Sequence, residues 1–94
     1  MVKVDCEVSG EEWRCRVMVD EAGERTTHAV IVTRDDAERW AASDELDDVR
    51  DLVRRSFEFL LEREPATSIL GSFQLSVIQR YFPEYDRLFR RTVR

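Results

Sequence analysis

Asparagine is absent from this chain, lysine occurs once, at Lys3, and histidine once, at His28. Glycine occurs three times and proline twice in 94 residues. Each shortage removes a class of chemistry. Two of the three glycines, Gly10 and Gly23, sit where turns are needed, so no glycine-rich loop remains to cradle a phosphate. A single histidine without an implied nucleophile or carboxylate does not make a catalytic centre, and His28 reads as a strand-surface or core-edge residue. Two cysteines, Cys6 and Cys15, and one distant histidine lack the spacing of a zinc site. No apolar run approaches the ~18 residues that span a bilayer. The opening "MVKVDCEVSG" alternates like a strand instead of placing an apolar core behind basic residues, so a cytoplasmic protein is expected. Fourteen arginines stand against the one lysine, as a GC-rich genome produces. Selection for bidentate pairing by arginine is the sharper alternative.

What is present is ordinary for a globular domain. Hydrophobic residues make up 43% and charged residues 37%, with a net charge of −5. No repeat or linker divides the chain, so residues 1–94 read as one domain with modest stability to spare. The acidic balance opposes binding nucleic acid through the whole surface. The charge is uneven, however. Arg80, Arg87, Arg90, Arg91 and Arg94 against Glu84 and Asp86 leave residues 80–94 at +3, and residues 1–79 at −8.

The first hairpin can be registered from sequence. "VKVDCEV" and "WRCRVMV" both alternate, and Gly10-Glu11 suits a two-residue II′ turn, whose first position needs positive φ. The pairs are then Val8–Trp13, Cys6–Cys15, Val4–Val17 and Val2–Val19 on one face, with Glu7–Arg14 and Asp5–Arg16 on the other. "DEAGE" makes the next turn and "RTTHAVIVT" the third strand. Ala29 and Ile31 compete with Val30 and Val32 for the inside. A three-residue bulged loop places Thr27, Ala29 and Ile31 beside Val17, Cys15 and Trp13.

The period then becomes helical. Thr33 with Asp36 reads as a cap for "RDDAERWA", and Ser43 or Asp44 caps a longer helix carrying Leu46, Val49, Val53, Phe57, Leu60 and Leu61 on one stripe. Pro65 ends it, and a last helix restarts at Pro83 with Tyr85, Leu88 and Phe89 on one face. The expected fold class is α+β: a three-stranded antiparallel meander (β-β-β) followed by three to five helices packed on one face.

Candidate sites are few. Cys6 and Cys15 face each other in a non-hydrogen-bonded pair close enough for a disulfide, but cytosolic thiols are normally reduced, and reduced core thiols are the expectation. The run Asp44, Glu45, Asp47, Asp48, Asp51 complements the positive end of the helix that starts there and lacks the glycine and spacing of a calcium loop. No catalytic residue, metal or cofactor is expected.

"PATSILGSFQLSVIQ", Pro65 to Gln79, holds no charged side chain. As one helix, Ile69, Leu70, Phe73, Val77 and Tyr81 form one stripe, and Leu75, Ile78 and Phe82 a second. The alternative is a break near Gln74-Leu75 with Ser76 capping "VIQRYF", a helix-turn-helix in outline but without the customary glycine. Only Arg80 is basic between Pro65 and Pro83, where a recognition helix needs several such groups. The first stripe is expected to pack on the helix holding Phe57 and Leu61. The second is expected to stay accessible, with Leu75, Ile78, Phe82 and Tyr85 as partner-binding residues.

The pattern Ile69, Leu70, Phe73, Leu75, Ile78, Tyr81, Phe82, Pro83, Tyr85 resembles the C-terminal segment of small uncharacterised bacterial proteins. The resemblance covers the last third of the chain and implies no activity. Three strands followed by helix also resemble HicB-type antitoxins at the level of fold, without their Pro- and Gly-containing strand signature. Two functions follow as expectations. The first is a non-enzymatic protein-interaction domain docking through its apolar C-terminal segment, onto a protein partner or a second copy. The second is a small nucleic-acid-binding regulator using the basic C-terminal helix.

Overall fold

The computed structural model describes residues 1–91. Arg94, counted above in the basic tail, lies outside the described residues. Strands β1 (Val2–Ser9), β2 (Glu12–Glu21) and β3 (Glu24–Val32) form an antiparallel meander. Helices α1 (Arg34–Trp40) and α2 (Leu46–Leu61) follow. A 3₁₀ turn over Ala66–Ser68 leads to β4 (Ser72–Gln74), then α3 (Val77–Tyr81) and α4 (Glu84–Phe89). The class is α+β, but the sheet has four strands in the order β1-β2-β3-β4, not three.

The first hairpin has the register read from alternation: Val8 opposes Trp13, Cys6 Cys15, Val4 Val17 and Val2 Val19. Gly10 has φ of 63°, as the first position of its turn demands. Glu7 faces Arg14 and Asp5 faces Arg16 on the solvent side. Cys6 and Cys15 are joined by a disulfide, with Cα atoms 4.0 Å apart. This corrects the expectation of reduced thiols; the geometry that allowed a bond is the geometry that makes it.

The phase of β3 is also corrected. Ala22 and Gly23 both have positive φ, 52° and 81°, and form a two-residue turn closed by Glu21 and Glu24. Positive φ at both tip residues is a type I′ turn, whose twist matches that of the strands. Removing one residue from the assumed loop moves every side chain to the opposite face. His28, Val30 and Val32 therefore point inward, against Val17, Cys15 and Trp13, while Ala29 and Thr27 face solvent.

The inward face is covered by the helices. Thr33 Oγ1 accepts from the Asp36 N–H and Asp36 Oδ2 accepts from the Thr33 N–H, both at 3.1 Å, a reciprocal cap for α1. Burial pushes the Asp36 carboxyl up from its ordinary range, against the lowering effect of these bonds. For α2 the cap is Glu45, not Ser43 or Asp44. Ser43 Oγ instead accepts from the Glu45 N–H at 3.1 Å and donates to Asp48 at 2.6 Å. Val49, Leu52, Val53, Phe57 and Leu60 of α2 are buried; Leu46 is exposed and Leu61 half-buried, because the buried face is centred on Leu52, Ser56 and Phe59 as much as on the stripe read from sequence. The chain leaves the helix before Pro65, with Glu62 as C-cap.

Two outcomes test this account. Replacing Ala22 with Asn should stabilise the domain by about 0.5–1 kcal/mol, because Asn tolerates the left-handed backbone better than Ala; urea denaturation measures it. Thiol titration of the unfolded, unreduced protein should find no free sulfhydryl. The Cys6→Ala, Cys15→Ala pair should lose roughly 2–3 kcal/mol, since a short closed loop no longer restricts the unfolded chain.

Candidate functional site

The neutral segment is neither one helix nor two, although the chain does break after Gln74 and Ser76 is the N-cap of α3, without a side-chain cap bond. Its first part turns through Ala66–Ser68, its middle becomes β4, and only Val77–Tyr81 is helical. β4 runs parallel to β3, with Val30 opposite Phe73. Ala29 N–H donates to Gly71 O at 2.8 Å, and Leu75 N–H to Ile31 O at 2.9 Å. His28 Nδ1 bonds Leu70 O at 2.8 Å, and its Nε2 bonds Thr26 Oγ1 at 2.9 Å. His28 is thus buried with both ring nitrogens engaged, its ring 5.2 Å from that of Phe57.

This path reassigns the expected partner-binding residues. Leu75 and Ile78 are 0% and 2% exposed and belong to the core, and Phe82 is half-buried against it. Tyr85 is 0% exposed. Leu75 and Ile78, expected to be accessible, are therefore core. Of the stripe expected to be core, Ile69 is buried and Phe73 packs on Phe57 as read, while Leu70 at 50% and Tyr81 at 70% stand exposed. The reason is the change of period: a strand alternates sides, so Phe73 turns inward between Ser72 and Gln74, and the residues on either side follow a phase no helix predicts.

Tyr85 anchors α4 instead of a partner. Its ring stacks on Phe89 at 4.3 Å and meets Trp40 and Phe59 edge-on at 5.0 and 5.5 Å. Ser56 Oγ donates to Leu52 O at 2.7 Å, so the hydroxyl of Tyr85 donates to Ser56 Oγ, also at 2.7 Å. Burial pushes the Tyr85 hydroxyl far up, and it stays protonated. Trp40 Nε1 donates to Asp86 Oδ1 at 2.9 Å. Hydrogen bonds from Arg90 and Trp40 hold the Asp86 carboxyl below its ordinary range.

The basic tail is partly consumed by the same contacts. Arg90 pairs with Asp86 at 2.6 Å. Arg91 caps the C-terminal end of α1, donating to Ala41 O at 2.6 Å and Ala37 O at 2.9 Å. Arg80 and Arg87 are exposed and form no ion pair among the described residues. The acidic run is spent along α2: Asp47 pairs with Arg50, and Asp51 with Arg54 and Arg55. Burial would raise the Asp51 carboxyl, but the bonds from Arg55 and Arg54 hold it below its ordinary range. Among the described residues no group of His, Cys, Asp and Glu is arranged to hold a metal, and no helix is long and apolar enough to cross a membrane.

What the rearrangement leaves open is an apolar groove of about 360 Å³. Leu60, Ile69 and Ile78 form its buried floor, and Phe73, Val77 and Phe82 its half-buried sides. Leu70 and Tyr81 stand exposed, and Glu64 is the one charged lining residue. The groove has the size and character of a binding cleft. Sequence reasoning missed Leu70, Tyr81 and Glu64, because which apolar residues project from this segment depends on its pairing with β3. The absence of charge from Pro65 to Gln79 was the available signal.

Ile78→Asp is expected to unfold the domain, since it buries an unpaired carboxylate, whereas Tyr81→Asp should change stability by no more than about 0.5 kcal/mol; chemical denaturation of both variants distinguishes the floor from the wall. No protein-family model, curated protein or solved structure matches this chain.

Proposed function

We propose that this protein is a non-enzymatic interaction domain that docks a protein partner in the groove between the C-terminal end of α2, β4 and α3. The carrying observation is the placement of exposed Leu70 and Tyr81 over a buried apolar floor. An exposed aromatic beside a desolvated pocket is the usual anatomy of an energetic anchor. The backbone at Leu70 is held by His28, which ties the Leu70 carbonyl to β3. The polar groups most suited to catalysis are spent in structure: His28 has both nitrogens bonded, and the Ser56–Tyr85 pair is sealed in the core.

A nucleic-acid-binding regulator is the second reading, favoured by exposed Arg80 and Arg87 on neighbouring helices. It has less support, because Arg90 and Arg91 are engaged within the fold. The cytoplasmic location proposed from the sequence has the Cys6–Cys15 disulfide against it, since such bonds persist in oxidising compartments.

A photoreactive phenylalanine analogue at position 81 should cross-link one defined protein from extracts of the native host. The adduct should disappear when Leu70→Asp is added. The same analogue in place of Ala29, on the open sheet face, should not form it. Equal adducts from both positions, adducts indifferent to Leu70→Asp, or adducts removed by nuclease would reject the protein-docking reading.

A further inference from the structure

We infer that the segment seated in this groove carries a lysine or arginine beside its apolar anchor, and that Glu64 selects it. The inference rests on the docking reading above and adds the charge of the partner. Glu64 is half-buried in a groove whose other lining residues are uncharged. Its carboxylate has no ion pair or side-chain hydrogen bond among the described residues. Most neighbouring acids differ: Asp47, Asp51, Glu58, Glu62, Glu84 and Asp86 all meet an arginine.

The local backbone makes the same end negative. Glu64 N–H donates to Leu60 O at 2.9 Å, which holds Glu64 against the end of the 16-residue α2, two residues past its C-cap Glu62. The C-terminal end of a helix carries partial negative charge and favours cations. The last turn of α2 has no basic residue. Arg63, just beyond it, caps that turn: its guanidinium lies 3.6 Å over the Phe59 ring and 6.0 Å from that of Phe82, donates to Phe59 O at 3.0 Å, and pairs with Glu62 and Glu84. With the helix end answered by Arg63, the Glu64 carboxylate is the charge on the groove rim that no cation meets among the described residues. A partner side chain with an aliphatic stem and a positive head satisfies both parts, laying its stem on the floor and its charge on Glu64.

The experiment uses three acetylated, amidated peptides, Leu-Phe-Xaa-Leu with Xaa as Lys, Gln or Glu, titrated into the full chain and followed by amide chemical shifts. All three should move the resonances of Leu70, Val77 and Tyr81, with the Lys peptide binding roughly three- to tenfold tighter than the Glu peptide. The preference should shrink as salt is added. Glu64→Gln should abolish the preference while the Gln peptide binds as before. If the three peptides bind the groove equally, or if their order survives Glu64→Gln, the charge inference fails and the docking reading stands. If none moves the groove resonances at millimolar concentration, the docking reading fails and this inference falls with it.

Discussion

The parallel pairing of β3 with β4, and the hydrogen bonds that flank it, decide where the last third of the molecule goes. Ala29 reaches Gly71, Leu75 reaches Ile31, and His28 reaches Leu70. They join residues more than forty positions apart, a contact that ordering entropy opposes and only the packed core repays. Once made, they hold Phe73 against Phe57, at a ring distance of 6.0 Å, and set Ile69 and Leu75 into the core. They also leave Leu70 outside. The groove is a by-product of that strand pairing.

A sheet with one apolar face needs cover along its whole width. α2 supplies most of it, and its outer face is laced with Asp–Arg and Glu–Arg pairs that keep it in water. The aromatic group of Trp40, Phe59, Tyr85 and Phe89 then fastens α4 to α1 and α2. Its polar atoms are satisfied internally: Tyr85 through Ser56, and Trp40 through Asp86. That economy explains why the arginines near the C-terminus are a poor guide to function. Arg91 closes the end of α1 and Arg90 holds Asp86, so charge that reads as a surface for nucleic acid is partly structural cement.

Legibility in the sequence tracked how local each constraint was. The first hairpin was readable because a glycine at the turn, apolar alternation and opposite charges all select one register. The Thr33–Asp36 cap was readable because it spans three residues. β3 was misphased because Ala22 accepts a left-handed backbone that its side chain disfavours, giving no turn signal of the Asn-Gly kind. Leu75 and Ile78 are misplaced by helical periodicity because the stretch before them becomes a strand through a partner far away in sequence; Tyr85 sits on a helix as read, and its burial comes from Trp40 and Phe59 on two other helices.

The amino-acid sequence by itself determined the α+β class, the β1–β2 register, the facing cysteines and a charge-free segment of unusual importance, because each follows from short-range periodicity and turn chemistry. Tertiary structure alone decided that this segment would add a fourth strand, that Leu75 and Ile78 would be buried while Leu70 and Tyr81 stand outside, and that Glu64 would stand unanswered at the rim of the groove. Those outcomes depend on which long-range pairing buries the most apolar surface while satisfying the backbone, a choice made by the whole chain at once.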